Sequence, residues 1–303
     1  MNKIFVIEGT DGSGKQTQTN LIYERLLKDG KEVFKTSFPN YDSQSSGPVK
    51  EYLSGNICSN PNSISPKAAS LFYAVDRYIS YKENIEKYYL DDKTIILFDR
   101  YISSNLLHQG GKILKKSNDL NELDKFSDWV INIEENDLEL PSPTIVFFLH
   151  VPTEYTISLM KERENKFSHT EKKDIHESDC EHLKNAEKSG LYFAKKFNWK
   201  IIECVKNGKL RSIEDINNEI YSTIQKYIEQ NWLCHSTTNY FLVSGIFKNV
   251  VFKFLPISRS LFSLTVVVQD TIHRNFLVWI TFFIVISFYN ISISIIMKDS
   301  IAI

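Results

Sequence analysis

Residues 4–17 read IFVIEGTDGSGKQT, and this stretch decides the fold. Ile4, Phe5, Val6 and Ile7 form a short apolar run of the kind found in a strand covered on both faces. Gly9 to Gly14 interrupts it. From Lys15 to Lys28 the composition favours a helix, with Leu21, Ile22 and Leu26 on one side and Gly30 as the stop. Between strand and helix, Gly9-Thr10-Asp11-Gly12-Ser13-Gly14-Lys15 fits the spacing G-x-x-x-x-G-K. Glycines at these positions let successive backbone N–H groups turn inward around a polyphosphate, and the following helix offers its positive end. Lys15 adds a point charge to the outer phosphates. The pattern calls for Ser or Thr after the lysine, to hold Mg²⁺ through a hydroxyl. This chain has Gln16 and then Thr17, so the ion's contact is open between the Gln16 carbonyl and Thr17.

The same alternation continues outward. Val33 to Phe38 reads as a second strand, closed by Pro39. Ile64 to Tyr89 has helical spacing around Ala68, Leu71, Phe72 and Val75. Thr94 to Phe98 is a third strand and Thr144 to Val151 a fourth, followed by Pro152 and a helix through Met160. Trp199 to Cys204 is a fifth strand, and Ile213 to Ile228 a closing helix. Strands separated by helices must pair in parallel. The expected class is therefore α/β, a three-layer α/β/α domain on a five-stranded parallel sheet. Ligands in such folds sit at the carboxyl ends of the strands.

Composition sets the limits. The chain has 303 residues, 42% hydrophobic and 24% charged, which excludes disorder throughout. A net charge of −1 gives no global attraction to nucleic acid, so no polymeric nucleic-acid partner is expected. Cys58, Cys180, Cys204 and Cys234 lie far apart, which suits a reducing, cytoplasmic compartment. Glu8 and Asp11 interrupt the N-terminal apolar run, so it does not read as a signal peptide. His169, His176, Cys180 and His182 match no compact metal module.

A second signal stands at the end of the third strand, Asp99-Arg100-Tyr101. An Asp here, beside the phosphate loop, is placed to hold Mg²⁺ directly or through water. Arg100 can clamp two phosphate oxygens. Together with this pair, the body resembles the thymidylate kinase family, in particular the bacterial branch whose loop lacks an arginine. The matching stretches are FVIEGTDGSGKQTQT, SFPNY, LFYAVDRY, FDRYISSNLLHQGGK, FFLHVPTE with MKER, and DIHESDCEHL, in order from about residue 4 to 205.

The resemblance implies transfer of the γ-phosphoryl group of ATP to thymidine monophosphate, with Mg²⁺ as cofactor and a homodimer as the assembly. By position, Asp11 matches the residue that contacts the sugar 3′-hydroxyl. Phe38 and Pro39 match the wall of the monophosphate pocket. Tyr41 stands where the family often has an arginine for the acceptor phosphate, so more of that load falls on Arg100. Tyr73 falls where an aromatic ring stacks on thymine, a contact worth ~1–3 kcal/mol, and Arg77 where the base edge is bonded. Ser104, Asn105 and Gln109 line the same pocket, Asn105 standing where many relatives have Gly. Read from residues alone, the alternatives are a core aromatic at Tyr73 and a surface loop residue at Gln109. The implied catalytic set is Lys15, Asp99, Arg100 and Arg163. Arg163 belongs to a lid over about residues 160–177, whose composition also suits a solvated helix end. Position 12 is Gly, so a lid cation must neutralise charge on the transferred group, an effect worth ~10³–10⁵ in rate.

The body is expected to end near Gln230. The tail, 231–303, carries Lys248, Lys253, Arg259, Arg274 and Lys298 against Asp270 and Asp299 only, with no Glu. Asn275 to Met297 is uncharged, and ~18 such residues suffice for a membrane-crossing helix. Three readings of the tail are open: a membrane anchor over 275–297, an apolar appendage, or sequence outside the evolved body. Two rival functions also stand beside the main one, a kinase for another pyrimidine nucleotide or nucleoside, and a non-catalytic nucleotide-binding membrane protein.

Overall fold

The computed structural model describes residues 3–58, 63–117, 119–166 and 180–236, together with four short segments of the tail between 250 and 296. The chain divides into two compact units, Met1–Gln225 and Lys226–Ile303.

The first unit is built on β1 (Ile4–Gly9), α1 (Lys15–Lys28), β2 (Val33–Ser37), α2 (Gly47–Leu53), α3 (Pro66–Ser80), α4 (Glu86–Leu90), β3 (Ile95–Asp99), α5 (Ile102–Ser117) and α6 (Leu120–Ile131). It continues with β4 (Ile145–His150), α7 (Thr153–Lys166), α8 (Cys180–Lys196), β5 (Lys200–Glu203), a hairpin of β6 (Val205–Lys206) and β7 (Lys209–Leu210), and α9 (Ile213–Ser236), within which the division falls. The five long strands form one parallel sheet in the order β2-β3-β1-β4-β5. This is the expected class. β1 lies at the centre, with every residue buried, as its unbroken apolar run requires.

The order also fixes the site. β1 and β3 are neighbours in register, Ile7 opposite Asp99. The chain reverses direction of travel across the sheet between β1 and its other neighbour β4, and that switch point opens a crevice at the strands' carboxyl ends. Phe38, Phe98, Tyr101 and Phe126 fill the core on one face, with Phe38 and Phe98 edge to face at 5.5 Å.

One element departs from the sequence reading. The helix expected from Ile64 to Tyr89 starts at Pro66, with the Ser65 hydroxyl accepting from the Ala68 N–H, and is broken by a wide π-type turn at Tyr81–Ile85 before α4. The pair α5 and α8 carries mid-helix glycines that argue against helices on propensity. They are there for close approach: a Cβ on Gly111 would meet the Ala186 backbone at 2.8 Å.

In the second unit, β8 (Val250–Ser258), β9 (Leu261–Val268), β10 (Ile280–Ser287) and β11 (Asn290–Ile296) make an antiparallel sheet ordered β11-β10-β9-β8. Of the three readings of the tail, the membrane-crossing helix over 275–297 is corrected: the described residues of that stretch are strands. The reason is legible. Ile291-Ser292-Ile293-Ser294-Ile295 alternates with period two, and β-branched residues favour the pleat. Among the described residues no helix is long and apolar enough to cross a membrane.

Candidate active site

The phosphate loop adopts the shape its glycines allow. Gly12 and Gly14 take φ of +79° and +84°, values at which any side chain would be strained. Gly9 must stay bare for another reason, since a Cβ there would lie 2.9 Å from the Leu149 carbonyl oxygen. Gly12 is roofed by α7: a Cβ would meet Met160 Cγ at 2.8 Å and the Thr156 carbonyl at 3.1 Å. The Ser13 N–H donates to the Thr10 carbonyl at 3.2 Å. Lys15 is buried, its Nζ donating to the Thr10 carbonyl at 2.8 Å and standing 3.9 Å from Asp11. Gln16 and Thr17 are both exposed on the first turn of α1.

The end of β3 closes on this loop. Arg100 takes a left-handed backbone, φ +68°, which turns its side chain out of the strand direction. Its N–H donates to the Ile7 carbonyl at 3.1 Å. Its guanidinium donates through Nη2 to Asp11 Oδ1 and through Nη1 to His108 Nε2 at 3.0 Å. Burial opposes both charges of the pair. The attraction prevails: Arg100 above all, with Lys15, holds the Asp11 carboxyl well below the usual carboxylate range, and Asp11 with Glu8 and Asp99 raises the Arg100 pKa further. Burial, with the neighbouring Arg100 cation, pushes His108 well below its usual range despite the opposing pull of Asp11. A neutral His108 that accepts at Nε2 keeps its proton on Nδ1, 3.5 Å from His182 Nε2 on α8.

Beside this cluster lies a second group. Ser104 Oγ and Ser103 Oγ donate to Glu8 Oε2 at 2.7 and 2.8 Å, and the Gly9 N–H donates to Oε1 at 3.0 Å. Arg77 is 1% exposed and forked onto Glu134, Nε to Oε2 at 2.5 Å and Nη2 to Oε1 at 2.7 Å. Asn105 Nδ2 donates to the same Glu134 Oε1 at 2.8 Å. Phe38 is buried at a cis bond to Pro39, and the next residue's N–H donates to Asp76 at 2.9 Å. Tyr41 is 53% exposed. Tyr73 is half-buried, edge to face with Tyr52 at 6.4 Å. Gln109 is buried rather than on the surface. Arg163 falls on α7 by its backbone, and the lid residues from 167 to 177 lie outside the described residues.

Buried polar atoms without a hydrogen-bond partner among the described residues are Asp99 Oδ1, Gln109 Oε1 and Ser13 Oγ. Such atoms cost free energy unless a ligand satisfies them. All three sit on segments of the crevice, at the end of β3, on α5 and in the loop. Their chemistry suits a cation at Asp99, a base edge at Gln109 and a phosphate at Ser13.

The thymidylate kinase family model matches residues 7–207. The chain belongs to the thymidylate kinase family. A thymidylate kinase of Halothermothrix orenii is 34% identical over 44% of this chain and 60% of its own length. That of Plasmodium falciparum is 28% identical over 74% of this chain and 90% of its own. A probable thymidylate kinase of Caldivirga maquilingensis is 25% identical over 73% and 93%. Family membership carries the activity, phosphorylation of thymidine monophosphate to the diphosphate with ATP as donor, and it disfavours the rival readings.

Sequence reasoning missed Glu8, Ser103, His108 and Glu134. Glu8 had a signal, since a charge inside an otherwise apolar, fully covered strand needs partners. Glu134 had none, because nothing local announces a residue that only matters 57 positions away from Arg77.

Proposed function

We propose that the two nucleotides meet over Asp11. Lys15 and the loop amides from Gly9 to Gly14 hold the ATP phosphates. The acceptor lies between Phe38, Pro39 and Tyr41 on one side and Tyr73, Arg77, Ser104, Asn105 and Gln109 on the other. The observation that carries this reading is the Arg100–Asp11 ion pair. It joins the β3 end to the phosphate loop, with Lys15 3.9 Å from the same carboxylate. Arg100 is thus within reach of phosphate on either nucleotide. When bound, Mg²⁺ would spread the charge developing between them; Asp99, with its unsatisfied Oδ1, is the residue to hold it, helped by Gln16 or Thr17. No general base is required, because the acceptor phosphate is an anion near neutral pH. Catalysis is alignment and charge neutralisation by Lys15, Arg100 and Arg163.

The assembly proposed is a homodimer in the cytoplasm. Along α3, Leu71 is 41% and Val75 44% exposed, an apolar stripe at helical spacing with Ala68 and Phe72 that a second copy would cover.

A coupled ADP-release assay on the full chain, with thymidine, deoxyuridine and deoxycytidine monophosphates, tests the assignment. Thymidine monophosphate should be turned over best, and a preference for cytosine would overturn the pocket. Tyr73→Ala should raise the KM for the acceptor by roughly tenfold or more with a smaller effect on kcat, the signature of lost stacking. An unchanged KM would return Tyr73 to the core.

A further inference from the structure

The helix that roofs Gly12 is held at its start by a cluster outside the nucleotide site. The first N–H groups of any helix lack partners within it. At α7, the Thr153 N–H and Thr153 Oγ both donate to Glu187 Oε2 of α8, at 2.9 and 2.5 Å. The other oxygen, Glu187 Oε1, pairs with His150 Nε2 at 3.0 Å, and His150 Nδ1 pairs with Glu203 Oε2 at 2.7 Å. One carboxylate thus ties α7 and α8 to the end of β4, and a second on β5 steadies the imidazole. The opposite end of the first two turns of α7 lies on the loop, with Thr156 and Met160 against Gly12.

We propose that Glu187 is a positioning residue for phosphoryl transfer: it clamps the N-terminus of α7, and so sets the cover on the phosphate loop. This rests on the reading of residues 9–15 as the ATP site. The clamp is also pH-sensitive. An imidazole between two carboxylates keeps both contacts only when both nitrogens carry protons. The described groups that face it, Glu187 from α8 and Glu203 from β5, are both acidic. Hydrogen bonding to Glu187, with Glu203 adding, raises the His150 pKa against the opposing effect of burial. A raised pKa means that the contribution is complete at low pH and is lost as pH rises through the folded-state value. Above that value the neutral ring must release one carboxylate.

The test uses the full chain. Glu187→Ala should lower kcat about tenfold, since small displacements of aligned groups are costly, while KM for thymidine monophosphate changes less than twofold. Glu187→Gln keeps an acceptor for Thr153 and should restore most of the turnover. It should also flatten the alkaline fall of kcat expected of the wild-type protein. Hydrogen exchange without nucleotides supplies the independent readout, with faster exchange expected at residues 153–157 in Glu187→Ala. Wild-type exchange rates there, or kcat within twofold of wild type, would overturn the clamp. A wild-type protein that transfers no phosphoryl group, yet shows the exchange difference, would instead sink the reading of the nucleotide site.

Discussion

Lys15→Ala should lower turnover by about 10³-fold or more while leaving the fold in place. The size follows from what the ammonium does. It is the one cation inside the loop, buried at 6% exposure and aimed by the Thr10 carbonyl. A preorganised charge in a water-poor site is worth far more than in solvent, and removing one such donor costs ~10²–10³ even when it is neutral. The fold should tolerate the change, because Asp11 keeps Arg100 as its partner. Lys15→Arg should rescue little, since a planar fork cannot take the place of a compact charge in a narrow cradle. Turnover by the coupled assay, beside thermal melting, makes the comparison, and near-normal turnover would remove the loop from the ATP site.

The same residue predicts a pH profile. Burial, with the neighbouring Arg100 charge, lowers the Lys15 pKa to about 8, against the opposing pull of Asp11, Asp99 and Glu8. In the free protein the charge therefore fades as pH rises through about 8. Since kcat/KM reports the free enzyme and kcat the complex, kcat/KM for ATP should show a Lys15 step near that pH that kcat lacks, and an alkaline fall in kcat is then the one assigned to His150. Bound phosphates keep the proton in place. For stability the sign is reversed: the folded state binds this proton less tightly than the unfolded chain, so stability gains as pH rises from 8 towards the ordinary lysine value. A flat kcat/KM across this range would refute the local electrostatics.

The parts of the fold that were legible share one property, in that their signal is local. Ile4 to Ile7 is apolar because its strand is covered on both faces, and the glycines of the loop are needed where they stand. Asp99 and Arg100 could be read because they follow a strand and precede a break. What escaped depends on distant partners. Gly110 and Gly111 look like helix breakers until α8 lies across them. Glu134 looks like one more surface acid until Arg77 and Asn105 reach it. The tail was ambiguous for a different reason. Length without charge satisfies a spanning helix and a set of strands equally, and the period-two alternation at Ile291–Ile295 was the better guide.

Arg77→Ala should be the most destabilising single substitution near the acceptor pocket, by about 3–5 kcal/mol. Both partners of the ion pair are 1% exposed, and the fork is bidentate, the strongest geometry for this pair of groups. Deleting the guanidinium leaves the Glu134 carboxylate in the interior with Asn105 as its remaining donor among the described residues, and also loses the Nη1 contact to the Tyr101 carbonyl at 3.4 Å. In a domain of this size that corresponds to a melting temperature lower by roughly 10 °C. Arg77→Lys keeps the charge without the fork and should fall between. Replacing both partners, as Arg77→Met with Glu134→Leu, should recover more than half of the loss, because no unpaired charge is then buried. The double variant also separates two duties of one side chain. Two of its nitrogens are committed to Glu134, so recognition of the thymine edge would have to use what remains at Nη1. If stability returns in the double variant while KM for thymidine monophosphate stays high, Arg77 serves both the core and the base. If KM returns as well, its place is structural. A single Arg77→Ala protein that melts within ~2 °C of wild type would show that the pair contributes far less than a buried, forked contact should.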